Sequence, residues 1–245
     1  MSEEPKLTFE VWGKNALFTD PLSRGGEKAS YTVPTYQALI GIAESIYWKP
    51  TFIYVIDKVR IMRQIKVESK AIRPIKLDGS PDLSYYSYLK DVRYQVQLHI
   101  KWNLQRNDLI EDRNIKKHMA IFKRALRAGG RRDVFLGTRE CQGYVKPVEF
   151  DDGVGFYDDD KENPRLFGMM VHGFNYPDET GDPDFSVRLW QPKMIDGVID
   201  FKLPEEITSV QRIRTINIED TDHKPIQSVD ALYSDLLGGM MDDGL

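Results

Sequence analysis

The chain has one cysteine, Cys141, among 245 residues, so it cannot form an internal disulfide. That favours a reducing compartment. It has no apolar run of about 18 residues or more, so no membrane-spanning helix is expected. Its first residues, MSEEPKLTFEVWG, lack the basic start and apolar stretch of a secretory leader. The expectation is a cytoplasmic protein with no membrane partner. Four histidines (His99, His118, His172 and His223) and one cysteine give no zinc-ligand spacing. No Walker A loop, dinucleotide fingerprint or G-x-S-x-G elbow is present. Asp151, Asp152, Asp158, Asp159 and Asp160 lack calcium-loop spacing and read as an exposed acidic loop. No metal and no cofactor are expected.

Hydrophobic residues make up 41% of the chain, enough for one large domain or two small ones. Net charge is −4, which by itself speaks against nucleic acid. Its distribution speaks for it. Residues 58–139 carry 20 Lys and Arg against 8 Asp and Glu, and the remainder carries 14 against 30. Such asymmetry marks either a basic binding face or a merely solvated one.

Alternation of Leu7, Phe9 and Val11 with polar residues predicts a first strand. A helix follows from near Pro34, with Tyr36, Leu39, Ile40, Ala43, Ile46 and Tyr47 as its apolar stripe, and Pro50 stops it. Residues 51–62 are β-branched and aromatic and predict a second strand. Residues 63–91 read as irregular. Val92 to Leu104 alternates apolar with polar and predicts a long strand with one buried and one wet face. A helix over 114–128 carries Ile115, Met119, Phe122 and Leu126, and Gly129 and Gly130 end it. A strand near 133–150 would complete a βαββαβ, ferredoxin-like unit. The class is therefore α+β: a ferredoxin-like domain over 1–139, a smaller β-rich domain over 140–215, and an acidic tail over 216–245 with a weak helix near 228–237. Strand candidates in the second domain are 168–174, 185–190 and 194–202.

The segment 113–132, RNIKKHMAIFKRALRAGGRR, holds eight basic residues and no acid. Lys116, Lys117, Lys123, Arg124 and Arg127 fall on the helix, and Arg131 and Arg132 follow its glycines. A glycine turn lets backbone amides approach a phosphate, and flanking arginines clamp it. His118 lies at the edge of the apolar stripe and can pass protons near neutral pH, although a lone histidine is more often an ordinary hydrogen-bonding residue. Tyr47, on an apolar stripe, reads as core. The wet face of strand 92–104 carries no aromatic platform, so charge-driven phosphate contact fits better than base stacking there.

Five ordered runs resemble the d-type Cas-five family, the RAMP-superfamily protein of subtype I-C CRISPR systems. They are ALFTDP (16–21), GGEKASYTVPTYQALIGIAESIYWKPT (25–51), YSYLKDVRYQV (86–96), AGGRRDVFLGTRECQGYV (128–145) and MVHGFNYPDETG (170–181). The resemblance implies a ferredoxin-like (RAMP, RRM-like) N-terminal domain and a smaller β-rich C-terminal one. It implies an endoribonuclease that cuts CRISPR repeat RNA without metal, through attack of the RNA 2′-hydroxyl on the adjacent phosphate. The product stays bound within the Cascade surveillance complex, so backbone and large subunits, and target DNA held by the assembly, are implied partners. The family's catalytic tyrosine, lysine and histidine fall on Tyr47, Lys117 and His118. Recognition would use the basic helix with Arg131, Arg132 and Arg139. The alternatives are a non-catalytic subunit that caps the 5′ handle of the guide RNA, and a general nucleic-acid binder.

Overall fold

The structure, a computed structural model, describes residues 5–23, 25–159 and 163–216. Asp160, His223, the expected helix near 228–237 and the rest of the acidic tail lie outside the described residues. The strands are Leu7–Ala16 (β1), Phe52–Ile61 (β2), Val67–Ile72 (β3), Ser84–Trp102 (β4), Val134–Phe135 (β5), Gln142–Lys146 (β6), Arg165–Leu166 (β7), Met170–Asn175 (β8), Asp184–Trp190 (β9), Lys193–Ile195 (β10), Val198–Asp200 (β11) and Ser209–Thr215 (β12). Helix Tyr36–Ile46 (α1) lies between β1 and β2, Ile115–Arg127 (α2) between β4 and β5, and the single-turn Pro177–Thr180 (α3) after β8.

The protein is α+β and built mainly on antiparallel sheet. The large sheet runs β5-β6-β1-β4-β2-β11-β10-β7, and β3 pairs with the first half of β4. A second sheet orders β12-β9-β8. Residues 140–215 therefore feed both: β6, β7, β10 and β11 extend the large sheet, while β8, β9 and β12 stand apart. Among the described residues no helix is long and apolar enough to cross a membrane.

Alternation along β4 places Val92, Tyr94, Val96, Leu98 and Ile100 under the helices, where all are buried. Helix α2 docks there through Phe122, whose ring meets Phe9 of β1 at 6.3 Å and Tyr54 of β2 at 5.8 Å. Truncating a buried aromatic of this kind costs about 3–5 kcal/mol, so Phe122 anchors the helix that carries His118 one turn earlier.

Two expectations change. The region 63–91 is not irregular: it contains β3 and the first part of β4. Every second residue of β3 is exposed and the others are only half-buried, so no apolar period marks it. The polar face of β4 is not wet at its centre, because residues 148–158 form a strap across it. Thr8 Oγ1 of β1 donates to Val148 O (2.6 Å), Gln95 Nε2 of β4 to Asp152 O (2.6 Å), and Arg60 Nη2 of β2 to Gly153 O (3.0 Å). Asp158 closes the strap with a 2.7 Å ion pair to Arg60. Part of the expected acidic loop is thus used internally, and Gln95 is fully buried.

Candidate active site

Tyr47 sits where α1 ends. Thr35 starts that helix by accepting the Ala38 amide at 3.1 Å. At the other end the Tyr47 amide still donates to Ala43 O (3.0 Å), but its own φ and ψ are extended, so the chain turns away. Tyr54 Oη donates to Tyr47 O at 2.6 Å and fixes the backbone there. The Tyr47 side chain points inward and is buried.

Asn114 caps α2 by accepting the Lys117 amide at 3.1 Å. This makes Lys117 and His118 first-turn residues facing different ways. Lys117 is exposed on the outer side, and His118 is fully buried between the Phe52, Trp102 and Tyr47 rings. The edge position expected for His118 is in fact interior.

Tyr47 Oη and His118 Nδ1 are 2.9 Å apart, and His118 Nε2 is 2.8 Å from the backbone oxygen of Asp112. A carbonyl oxygen only accepts, so Nε2 carries a hydrogen. In the neutral tautomer with that hydrogen, Nδ1 accepts and Tyr47 donates. Burial, followed by the Asp112 charge, pushes the Tyr47 hydroxyl above its ordinary pKa, with Arg131 pulling the other way. Tyr47 therefore holds its proton at neutral pH, with a basic nitrogen directly behind it.

Asp112 was not singled out in the sequence. Its carboxylate pairs with Lys117 Nζ and accepts from Thr51 Oγ1 at 2.7 Å. These two bonds, Lys117 first, hold its carboxyl below the usual carboxylate range. An ammonium in the first turn of a helix opposes the helix dipole, and Asp112 offsets that.

Lys116, Lys123, Arg124 and Arg127 are exposed along the outer side of α2. Arg131 and Arg132 are also exposed, but their amides are not available to phosphate. Arg131 N donates to Ile46 O (3.2 Å) and Arg132 N to Ser45 O (3.0 Å), capping α1. Gly130 permits this contact, with φ +104° and Ser45 O only 3.5 Å from where a Cβ would stand. The expectation of an amide cradle is replaced by side-chain clamping alone. The Arg131 guanidinium carbon lies 5.3 Å from the centre of the Tyr47 ring and covers it. Arg139 is exposed in the β5–β6 turn beside Glu140 and is not brought to Tyr47 by any of these contacts. Among the described residues no group of three or more His, Cys, Asp or Glu converges as a metal-binding set.

The family model described as CRISPR-associated protein (Cas_Cas5) matches residues 6–202. The chain belongs to that family. Among curated Cas5d relatives, the CRISPR pre-crRNA endoribonuclease Cas5d of Mannheimia succiniciproducens is 27% identical over 220 residues, covering 80% of this chain and 94% of that protein. The protein of the same name from Thermus thermophilus is 27% identical over 193 residues, covering 75% and 79%. A solved structure titled "Crystal Structure of CRISPR-associated Protein" superposes with a TM-score of 0.70 at 37% identity, covering 85% of this chain and 97% of that one. Tyr47, Asp112, Lys117, His118 and Arg131 all lie inside the span that matches the Cas5 family.

Proposed function

We propose that this protein is the endoribonuclease that cleaves precursor CRISPR RNA at its repeat hairpin and then remains with the product as a subunit of the type I-C Cascade complex in the cytoplasm. The observation that carries the reading is the Tyr47–His118 hydrogen bond, with Asp112 linking His118 to the exposed Lys117. Two relatives bear the name pre-crRNA endoribonuclease.

The chemistry follows from the proton positions. The RNA 2′-hydroxyl gives its proton to Tyr47 Oη while Tyr47 passes its own to His118 Nδ1. The freed 2′-oxygen bonds to the adjacent phosphorus, and the bond from phosphorus to the 5′-oxygen breaks. Lys117 stabilises the charge that builds on the phosphate and supplies the proton to the departing 5′-oxygen. The products are a 2′,3′-cyclic phosphate and a 5′-hydroxyl. His118 afterwards releases its extra proton to water and Lys117 takes one up, so the enzyme is restored. Every group needed is a side chain, so the proposal is that no metal takes part.

The same reading extends to architecture. The order β1-α1-β2-β4-α2-β6, with sheet neighbours β6-β1-β4-β2, supports a ferredoxin-like unit. The separate β8-β9-β12 sheet supports a smaller β-rich unit within 140–215, while β6, from the same stretch, completes the larger unit. Lys116, Lys123, Arg124, Arg127, Arg131, Arg132 and Arg139 are the proposed RNA contacts.

A binding-only role draws support from the burial of Tyr47 and His118. One experiment separates the two. Purified protein is incubated in EDTA with its own repeat RNA, with and without a 2′-deoxy substitution at the cut. Cleavage of the ribose substrate alone, leaving a cyclic phosphate, is expected. Cutting of the deoxy substrate would sink the mechanism, and no cutting of either would favour the binding role.

A further inference from the structure

We propose that Asp112 is the positioning residue of this site: its carboxylate holds Lys117 in the free protein and turns to support His118 once an RNA phosphate has taken Lys117. The inference rests on the cleavage reading above and adds to it a residue outside the tyrosine, lysine and histidine set.

Three contacts meet at this one side chain. Oδ1 pairs with Lys117 Nζ. Oδ2 accepts from Thr51 Oγ1 at 2.7 Å and stands 3.6 Å from His118 Nε2. The backbone oxygen of the same residue accepts the Nε2 hydrogen at 2.8 Å. Thr51 belongs to the entry of β2 rather than to α2, so the carboxylate is held from two separate elements. Asp112 is thus the only residue among these contacts that touches both Lys117 and His118.

Each contact has a consequence. While Lys117 is paired, its charge is already engaged, and an incoming phosphate must compete with the carboxylate for it. The carboxylate loses that partner when phosphate wins. At that stage the proton from Tyr47 reaches His118 Nδ1, and the ring becomes a cation whose Nε2 hydrogen faces Asp112. A carboxylate behind an imidazole stabilises the cation and holds the ring in place, as in a Ser-His-Asp triad. The backbone oxygen keeps the ring in the correct tautomer before this happens. The charged or titratable groups around the pair are Tyr47, Lys117, Arg131 and Asp112 itself; the other faces are the Phe52 and Trp102 rings.

The test is Asp112→Asn, which keeps the side-chain shape and an oxygen for Thr51. Two quantities are measured at one salt concentration: affinity for 2′-deoxy repeat RNA, and the single-turnover rate constant on ribose RNA. The expected result is a split. Binding tightens by about 2–5-fold, the worth of a partly exposed ion pair, and the gain disappears in a Lys117→Ala background. Cleavage slows by about 100-fold, and Asp112→Glu recovers part of it; Asp112→Asn melts lower because the paired carboxylate is lost, while both variants keep the wild-type circular dichroism spectrum. Binding and cleavage falling together would overturn the proposal in favour of a structural role. So would an unchanged rate, or a tightening that persists without Lys117. If the wild-type protein fails to cut while the Lys117-dependent tightening appears, the cleavage reading fails and the hold on Lys117 stands.

Discussion

Tyr47 and His118 are separated by 71 residues in the chain and meet through a 2.9 Å hydrogen bond inside the protein. In the neutral tautomer of His118 the tyrosine is the donor, because the other ring nitrogen carries its hydrogen to the Asp112 carbonyl. Tyr47→Phe removes that donor and leaves Nδ1 buried without a partner, at a stability cost of about 1–3 kcal/mol. Cleavage is expected to fall by about 100-fold or more, with binding of 2′-deoxy repeat RNA unchanged. Single-turnover cleavage and a filter-binding titration check both halves; full activity in the variant rules Tyr47 out of the relay.

Arg131 covers the Tyr47 ring, so the proposed mechanism requires RNA to displace that side chain before it meets the hydroxyl. Arg131→Ala is expected to make Tyr47 more reactive toward nitration in the free protein, read by peptide mass spectrometry. Added 2′-deoxy repeat RNA should protect Tyr47 in the variant. Equal nitration of Tyr47 with and without Arg131 would show that the guanidinium does not cover it in solution.

Lys123, Arg124 and Arg127 lie on one outer face of α2, and among the described residues no hydrogen bond or salt bridge of theirs engages a carboxylate. If they bind phosphates, replacing all three with glutamine lowers the salt dependence of binding. The slope of log K against log salt should drop by about 0.7–0.9 for each phosphate that is no longer neutralised. The weakening should be similar for different repeat sequences, since phosphate contacts do not read bases. An unchanged slope would place the RNA elsewhere.

Glu179, in the single turn of α3, has its carboxyl pushed up to about 7, first by burial and then by Asp178 and Glu44. A raised carboxyl binds a proton more tightly in the folded than in the unfolded chain. Its burden on stability is therefore small at acid pH and grows as pH rises from the ordinary carboxylate value through about 7. Glu179→Gln is expected to stabilise the protein by about 1–2 kcal/mol at pH 8, partial exposure holding the figure below the full shift. It should change little at pH 4. Urea melts at both values check the sign, and a larger gain at acid pH would contradict it.

Much of the frame is legible in the sequence because it depends on short-range periods. The stripe from Tyr36 to Ile46 and the alternation from Val92 to Ile100 specify α1 and the second half of β4 directly. What is hidden comes from contacts across long separations. Strand β3 offers no apolar period, since its ladder with β4 is made by backbone. Gln95 reads as wet because its cover arrives from residues 151 and 152. The site shows the same limit. Lys117 and His118 stand out in a basic run chosen for having no acid, and that run begins at Arg113. The carboxylate that holds both residues is the one just before it. Tyr47 looks like core and is buried like core; only its partner across the chain distinguishes it.

The strap over residues 148–158 has one more consequence. In many RNA-recognition modules the open face of the sheet receives the nucleic acid. Here the protein lays its own backbone across the centre of that face and bolts it down through Arg60 and Asp158. Bases have no open sheet surface to stack on at that point. The proposed RNA contacts on α2 and in the Arg131 turn therefore stand on the side of the sheet opposite the strap.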